Sequence, residues 1–497
     1  MGSGLKSINY ALLFFGCVLF HIAGTWSLPL IDRDEPRFAE ASREMTERGD
    51  YIVPRFNNQL RLDKPPLAYW AQAASYRIFG ENDFAARFPS ALAAAFTALS
   101  ILAWGARIGG EKVGWWAAII FTLSLQTFLH AKAAVADMWL VLFVTLAHWA
   151  GYELIENREA RSENRRTKWW LAFYFSLALG FLAKGPIAWT PLLTVSAIII
   201  YARDWPLARR FKFLPGILLT LAVVALWGIP ALIQTHGEFF SVGIGRHVIG
   251  RSLATMEGHG AGSLGAYLLL LPFYFVTVFV SFFPWSVKLP WLVQKLWRRK
   301  KTGVTDPGYS GNSIDTYLAT GIAIVFIIFT FVSTKLPHYT LPAFPLLALL
   351  LARHWQPATA EGGRSLFAGI AITVACVLIG IALFVPPMVA RFFPAYQLFQ
   401  MSRASLQPTT QFAAVEFQEP SLVWYFRSRV SGFLTPLNKR RATDFMSLAG
   451  PRLLVLPTSV AATTFANPPQ GWKFFTTSGL NISKGKRVDL TLVLKPE

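Results

Sequence analysis

Residues 317–333 read Tyr317-Leu318-Ala319-Thr320-Gly321-Ile322-Ala323-Ile324-Val325-Phe326-Ile327-Ile328-Phe329-Thr330-Phe331-Val332-Ser333, a run without one charged side chain. About 17–25 such residues cross the ~30 Å hydrocarbon core of a bilayer as a helix. Comparable runs recur at roughly 8–28, 88–106, 113–130, 136–155, 169–183, 187–202, 213–233, 266–287, 338–352 and 365–387. The whole chain agrees: of 497 residues 54% are hydrophobic and only 15% charged, against about 25% charged in a soluble domain. The expected fold is mainly α, a polytopic transmembrane helical bundle of about 11–13 spans. A soluble enzyme and a disordered chain are excluded. Cys17 and Cys376 both lie inside apolar runs, which removes a disulfide framework and a thiolate metal site.

The net charge of +20 would point to nucleic acid in a soluble protein, but here it follows topology. Arg158, Arg161, Arg165, Arg166 and Lys168 fall in one connection. Arg203, Arg209, Arg210 and Lys212 fall in another, and Lys295, Arg298, Arg299, Lys300 and Lys301 in a third. With the N-terminus inside, all three lie on the cytoplasmic face, as the positive-inside rule requires. Ile8 to Trp26 is too long for a signal-peptide core and reads as a retained first span. An odd number of spans then leaves 388–497 outside. The expectation is a multi-pass protein of a bacterial inner membrane, with membrane lipids but no nucleic acid as partners.

The same charge argument, which makes no use of them, puts Asp32, Asp34, Glu35, Asp63, Lys64, Asp137, Lys184, Arg246, His247, Arg251, Lys335 and His338 on the outer face. Ionisable groups at span ends usually line a wet cavity or pair with one another. The long first outer loop, 29–87, organises several of them. Asp34-Glu35-Pro36-Arg37 reads as a helix start, with Asp34 able to cap, and Gly49 as its stop. Phe38, Ala41, Ser42 and Met45 share one face of this helix; Glu40, Arg43, Glu44 and Glu47 share the other. An amphipathic helix of this kind is expected to lie along the membrane surface. Asn57-Asn58 predicts a tight hairpin that carries Asp63-Lys64 back toward the helix start. Pro65-Pro66 opens a second amphipathic helix that ends at Gly80 and turns Leu67, Trp70 and Ala74 to lipid. A lysine at headgroup depth suits a lipid-linked phosphate, and a carboxylate beside it can orient or deprotonate an acceptor hydroxyl.

Three runs carry a family resemblance. They are Asp34-Glu35-Pro36-Arg37, Gly49-Asp50-Tyr51-Ile52-Val53-Pro54 and Leu62-Asp63-Lys64-Pro65-Pro66-Leu67-Ala68-Tyr69-Trp70. Together they resemble the first periplasmic loop of the lipid A aminoarabinose transferases, which belong with the protein O-mannosyltransferases among the GT-C membrane glycosyltransferases. Lys335-Leu336-Pro337-His338-Tyr339-Thr340-Leu341-Pro342 is similar to the family's later outer-loop signature, and Glu419-Pro420-Ser421-Leu422-Val423 to the start of its C-terminal domain. The resemblance implies Asp34 as the essential carboxylate, Lys64 as a donor-phosphate contact, and Asp137 as the second-loop aspartate. It sets His247 and Arg251 near the donor phosphate and matches Tyr339 to the tyrosine of the later motif. Arg37 and Arg246 join the donor-phosphate candidates; Glu35, Asp63, His247, Lys335 and Tyr339 are the candidates for substrate contact. One departure is visible: the aminoarabinose transferases tend to have glutamate where this chain has Asp63.

No helical H-x-x-x-H and no cysteine cluster supports zinc, so no metal ligand is assigned; a divalent cation near Asp63 and His247 is the one metal option. No P-loop or dinucleotide fingerprint supports a nucleotide-sugar donor. After Pro386-Pro387 the composition turns polar, and Phe412–Phe417, Arg452–Leu456 and Val488–Leu494 read as strands with a helix over Leu422–Ser428. This divides the chain into a GT-C catalytic domain, 1–387, and a small periplasmic α/β domain, 388–497. The expected function is transfer of a sugar from a polyprenyl-phosphate (undecaprenyl phosphate) carrier to lipid A or lipopolysaccharide core at a periplasmic active site. The alternatives are O-mannosyl transfer to Ser or Thr, and transport of a lipid-linked sugar. The absence of an internal repeat weighs against transport.

Overall fold

The computed structural model describes residues 7–156, 163–243, 245, 264–302, 311–358 and 361–496. Each expected membrane run overlaps helix, and this is a multi-pass membrane protein. Among the described residues, five helices are long and apolar enough to cross a membrane: Asp83–Gly109, Asp137–Glu156, Trp205–Gln234, Ile314–Phe331 and Ser365–Phe392. A sixth span comes from Glu111–Thr122 and Leu125–Ala131 if that pair, bent by 67°, counts as one. The other expected spans are shorter or interrupted: Ser7–Ile22, the pair Leu264–Leu269 and Phe273–Ser281, and Phe344–Ala358. Lys184-Gly185-Pro186 ends one helix, and a 3-10 turn over Pro186–Trp189 leads into the next. Such breaks are tolerated at membrane depth only where the freed backbone groups face protein or a cavity.

The core is set by small residues. Ala91, Ala93, Ala94, Ala95 and Ala98 of Asp83–Gly109 are all buried. A Cβ on Gly105 would stand 2.7 Å from the Cα of Gly114, so this helix and Glu111–Thr122 meet backbone to backbone. Asp137–Glu156 is the most enclosed span, with 83% of its apolar window buried against 17% for Ser365–Phe392. The helix that opens with Asp137 is therefore central, and the last span is peripheral.

The helix Asp34–Arg48 begins and ends as expected, with Gly49 in the left-handed conformation at φ 66°. Two details differ. Asp34 is the first helical residue and its side chain makes no capping bond. The charged face is buried as well: Glu40 and Glu44 are fully enclosed and Arg43 is 1% exposed. The helix is thus not a surface helix with one wet side, because Pro420–Arg427 of the C-terminal region covers that side. Arg43 donates to Glu40 at 2.7 Å, to Glu81 at 2.9 Å and to the Trp424 carbonyl at 2.9 Å, with its guanidinium 3.9 Å above the Trp424 ring. Arg427 pairs with Glu40 and, at 2.7 Å, with Glu47.

The hairpin forms from β1 (Arg55–Phe56) and β2 (Gln59–Leu60), paired Arg55↔Leu60 and Phe56↔Gln59. Asn57 and Asn58 supply φ of 52° and 64°, the signature of a type I′ turn. Asn57 also reaches the C-terminal region. Its amide donates to the Leu434 carbonyl and accepts from the Leu434 N–H, both at 2.8 Å. Leu67–Phe79 forms the second loop helix; Ala74 is exposed, whereas Leu67 and Trp70 are half-buried.

The C-terminal region holds a five-stranded sheet of order β4-β3-β5-β7-β6. Its strands are β3 (Gln411–Val415), β4 (Thr435–Leu437), β5 (Arg452–Pro457), β6 (Lys473–Asn481) and β7 (Lys486–Lys495). β3 pairs parallel with β4 and β5; β7 pairs antiparallel with β5 and β6. The three central strands are the expected ones. β4 and β6 are edge strands, more exposed and less apolar, and lack the buried run that marks a strand in sequence.

Removing one partner of a buried ionic cluster strands the other charge. Arg427→Ala should lower unfolding stability by about 3–5 kcal/mol, measured in detergent by thermal or urea unfolding. Two acids on this seam titrate near neutrality. Burial pushes Asp32, which accepts from Ser421 N–H and Oγ at 2.9 and 2.5 Å, and Glu44 up to about 7. A carboxyl with a raised folded-state pKa binds its proton more tightly folded than unfolded. Its contribution is complete at low pH and is lost as pH rises from about 4 to about 7. Asp32→Asn should flatten part of that decline in a melting-temperature series between these limits.

Candidate active site

Four segments converge on one point. The first is the exit of the hairpin, where Arg61, Asp63 and Lys64 precede Pro65-Pro66. Arg61 donates to the Tyr69 hydroxyl at 2.8 Å and lies 3.3 Å from Asp63. Burial works against its charge, but Tyr69, Asp63 and, more weakly, Asp34 outweigh it and hold the guanidinium pKa above its usual value. Burial raises the Tyr69 phenol, opposed by Arg61. Asp34 itself is exposed, at the start of its helix and within electrostatic reach of this pair.

The second segment is the break at Lys184-Gly185-Pro186. Gly185 has φ 82° and ψ −157°, a conformation open to glycine alone. The break turns the Lys184 ammonium onto Asp137 Oδ1 at 2.5 Å. Asp137 opens its span from the third segment, the loop after Leu125–Ala131, whose Ala134 N–H donates to Glu35 at 2.7 Å. The fourth is the 3-10 turn Pro337–Ala343, which sets His338 Nε2 3.9 Å from Asp137 and packs Tyr339 against Phe329 with ring centroids 4.8 Å apart and the planes tilted by 35°.

Two cavities meet here. One, of about 450 Å³, is lined by Asp63, Lys64, Lys184 and apolar groups including Leu221, Trp227 and Phe239. The other, of about 410 Å³, carries Asp137, His338 and Tyr339 on a wall that is otherwise largely apolar. Lys64, Lys184 and Pro186 line both. Two hydrocarbon-lined grooves thus share a cationic junction, with a carboxylate on one side.

The structure brings together Lys64, Asp63, Asp137 and Tyr339 of the residues singled out in sequence, with Asp34 within electrostatic reach of Arg61; Arg37, on the same helix start, faces Asp32. Glu35 and Lys335 are corrected. Glu35 is buried, and its carboxylate is filled by Arg87 at 2.9 and 2.7 Å and by the N–H groups of Ile31 and Ala134, leaving no room for substrate. Lys335 is buried too, donating to the Phe329 and Thr330 carbonyls at 3.0 and 2.5 Å, so it closes a helix end. Arg246, His247 and Arg251 lie outside the described residues, and with them the expected cation position near Asp63 and His247. Sequence reasoning undervalued Lys184 and missed Arg61. The signal for Arg61 is its place two residues before Asp63, just past the end of the hairpin.

The crystal structure of ArnT from Cupriavidus metallidurans bound to undecaprenyl phosphate matches with a TM-score of 0.72 at 17% identity, covering 98% of both chains. The chain shares the fold of that protein. A family described as dolichyl-phosphate-mannose-protein mannosyltransferase matches residues 63–229, the segment that carries Asp63, Lys64, Asp137 and Lys184. The undecaprenyl phosphate-alpha-4-amino-4-deoxy-L-arabinose arabinosyl transferase of Edwardsiella ictaluri is 29% identical over 364 residues, 72% of this chain and 60% of that protein. A second such transferase of Sodalis glossinidius is 30% identical over 69% of this chain and 60% of the relative. The match thus spans about 60% of the length of these curated relatives. That of Enterobacter sp. (strain 638) extends over 99% of this chain and 87% of its own at 25% identity.

The junction depends on the Gly185 backbone. Gly185→Ala should cost about 1–3 kcal/mol in unfolding stability. It should also separate Lys184 from Asp137, read as a fall in activity larger than that of Gly180→Ala, which tests crowding at 2.7 Å against Ala188 without altering a turn.

Proposed function

We propose that this chain is an integral-membrane glycosyltransferase that takes a sugar from a polyprenyl-phosphate carrier and passes it to lipid A or lipopolysaccharide core. The observation that carries this reading is the pair of apolar grooves meeting at Lys64 and Lys184, one groove for each lipid-borne substrate. The relatives named above, whose names specify an undecaprenyl phosphate-linked aminoarabinose, support the donor class. The basic connections support an orientation with the N-terminus cytoplasmic and the junction and residues 388–497 periplasmic, in a bacterial inner membrane. We divide the chain at 387/388, with the chemistry in 1–387.

In this reading the donor phosphate lies against Lys64 and Lys184, with Arg37, Arg246 and Arg251 as further donor-phosphate candidates. The acceptor oxygen attacks the anomeric carbon from the face opposite the phosphate, the carbon–oxygen bond to phosphate breaks, and polyprenyl phosphate leaves with the electron pair. The cations stabilise the charge that grows on that phosphate, usually the largest single contribution. Asp34 takes the proton of a hydroxyl acceptor; for a phosphate acceptor, already ionised, it only orients. Asp63, His247 and Tyr339 contact the sugar and its phosphate. Asp137 holds Lys184 in position.

Asp34→Asn should abolish transfer with the fold intact. Lys64→Ala should lower turnover roughly 10²–10³-fold. The check is mass spectrometry of lipid A and core from a deletion host complemented with each variant. The deletion host should lack one sugar-sized increment, which wild type restores and Asp34→Asn does not. An unchanged lipid profile with the gene expressed would overturn the acceptor, and full activity of Asp34→Asn would remove that residue from the mechanism.

A further inference from the structure

His130 closes the short helix Leu125–Ala131, Asp137 opens the central span, and His338 comes from the 3-10 turn two hundred residues later in the chain. One ligating atom from each lies within 4.8 Å of the other two. The two imidazoles face each other at a centroid distance of 4.8 Å with a 35° tilt. His130 Nδ1 is 2.8 Å from the Gln126 side-chain amide. With that amide turned so that its oxygen accepts from Nδ1–H, the Nε2 lone pair is left for a ligand. An outer-sphere bond of this kind normally fixes the tautomer of a metal-binding histidine.

We propose that His130, Asp137 and His338 bind a divalent transition-metal ion of the zinc class, in competition with the Lys184 ammonium. Two imidazoles and one carboxylate form a donor set suited to such an ion, with a fourth position open to the cavity. Around a four-coordinate ion with bonds of about 2.0–2.2 Å, ligand atoms sit about 3.3–3.5 Å apart. From a widest separation of 4.8 Å, the trio must close by up to roughly 1.4 Å to reach those bonds. Charge decides the competition. The imidazoles are neutral ligands, Asp137 brings the one negative charge, and Lys184 already holds it at 2.5 Å. Lys64 adds a second positive charge along the same wall. A metal ion can enter only if Lys184 leaves, and Lys184 has a place to go because it also lines the other cavity. Metal binding thus moves Lys184 from Asp137 to the groove that holds Asp63 and Lys64. The site shares Asp137 and Lys184 with the proposed transfer machinery, but it is argued from geometry, and its test reads metal binding rather than turnover.

The test is titration of the purified, untagged full-length protein, stripped with chelator in detergent, with zinc chloride followed by calorimetry. One saturable site is expected in the wild type. His130→Ala and His338→Ala should each weaken it at least about tenfold, with Gln replacing Ala where a variant fails to fold by circular dichroism. Lys184→Met should tighten it, a direction that a supporting role for Lys184 would not produce. No saturable site in either wild type or Lys184→Met, or an affinity indifferent to both histidines, would overturn the site. An affinity that Lys184→Met leaves unchanged or weakens would overturn the competition.

Discussion

The bidentate pair between Glu35 and Arg87 is the contact on which the rest of the active region depends. Arg87, in the first turns of the span Asp83–Gly109, grips both oxygens of Glu35 and donates as well to the carbonyls of Thr25, Leu28 and Pro29. Glu35 in turn accepts from Ala134, three residues before Asp137. One buried ion pair therefore joins the end of the first helix, the start of the loop helix behind Asp34, and the loop that delivers Asp137. Isolated buried charges are costly, and this pair is sustained because every lone pair and nearly every N–H finds a partner. It holds two carboxylates from distant parts of the chain in one frame.

Much of this frame was legible in sequence because its signals are local. Asn57-Asn58 needs positive φ, Gly49 ends a helix, and apolar runs of membrane length become helices; each of these depends only on neighbouring residues. The buried charges were not legible. Glu40, Arg43 and Glu44 share a polar helix face, which alone predicts contact with water. What covers them is Pro420–Arg427, nearly four hundred residues away, and no pattern within the loop announces it. The same holds for Glu35, whose partner Arg87 is the last residue of the expected outer loop, fifty-two residues away, with nothing in its neighbours to mark the pairing.

For the candidate site, residue types and turn chemistry pointed to Lys64, Asp63, Asp137 and Tyr339, which the fold sets around the two grooves, since charged groups beside breaks at span ends are rare and costly. Lys335 met the same criteria and serves only its own helix end, because a lysine one turn past a helix can reach its last carbonyls. Lys184 was undervalued for the opposite reason. Its importance comes from the Gly185 turn and from Asp137, a contact between two spans that only packing reveals. The grooves on either side are likewise properties of several helices together.

The hairpin turn gives the molecule a mechanical linkage. Asn57 holds both backbone groups of Leu434, while Lys64, seven residues later on the same short ribbon, reaches the junction of the grooves. Asn58 adds a bond from its N–H to Glu44 at 3.1 Å, fixing the other side of the turn to the loop helix. A ribbon pinned at its tip and working at its base is a lever. Any tilt of the C-terminal sheet is passed through Asn57 to the ribbon, so a region outside the junction of the grooves sets how far Lys64 reaches into it.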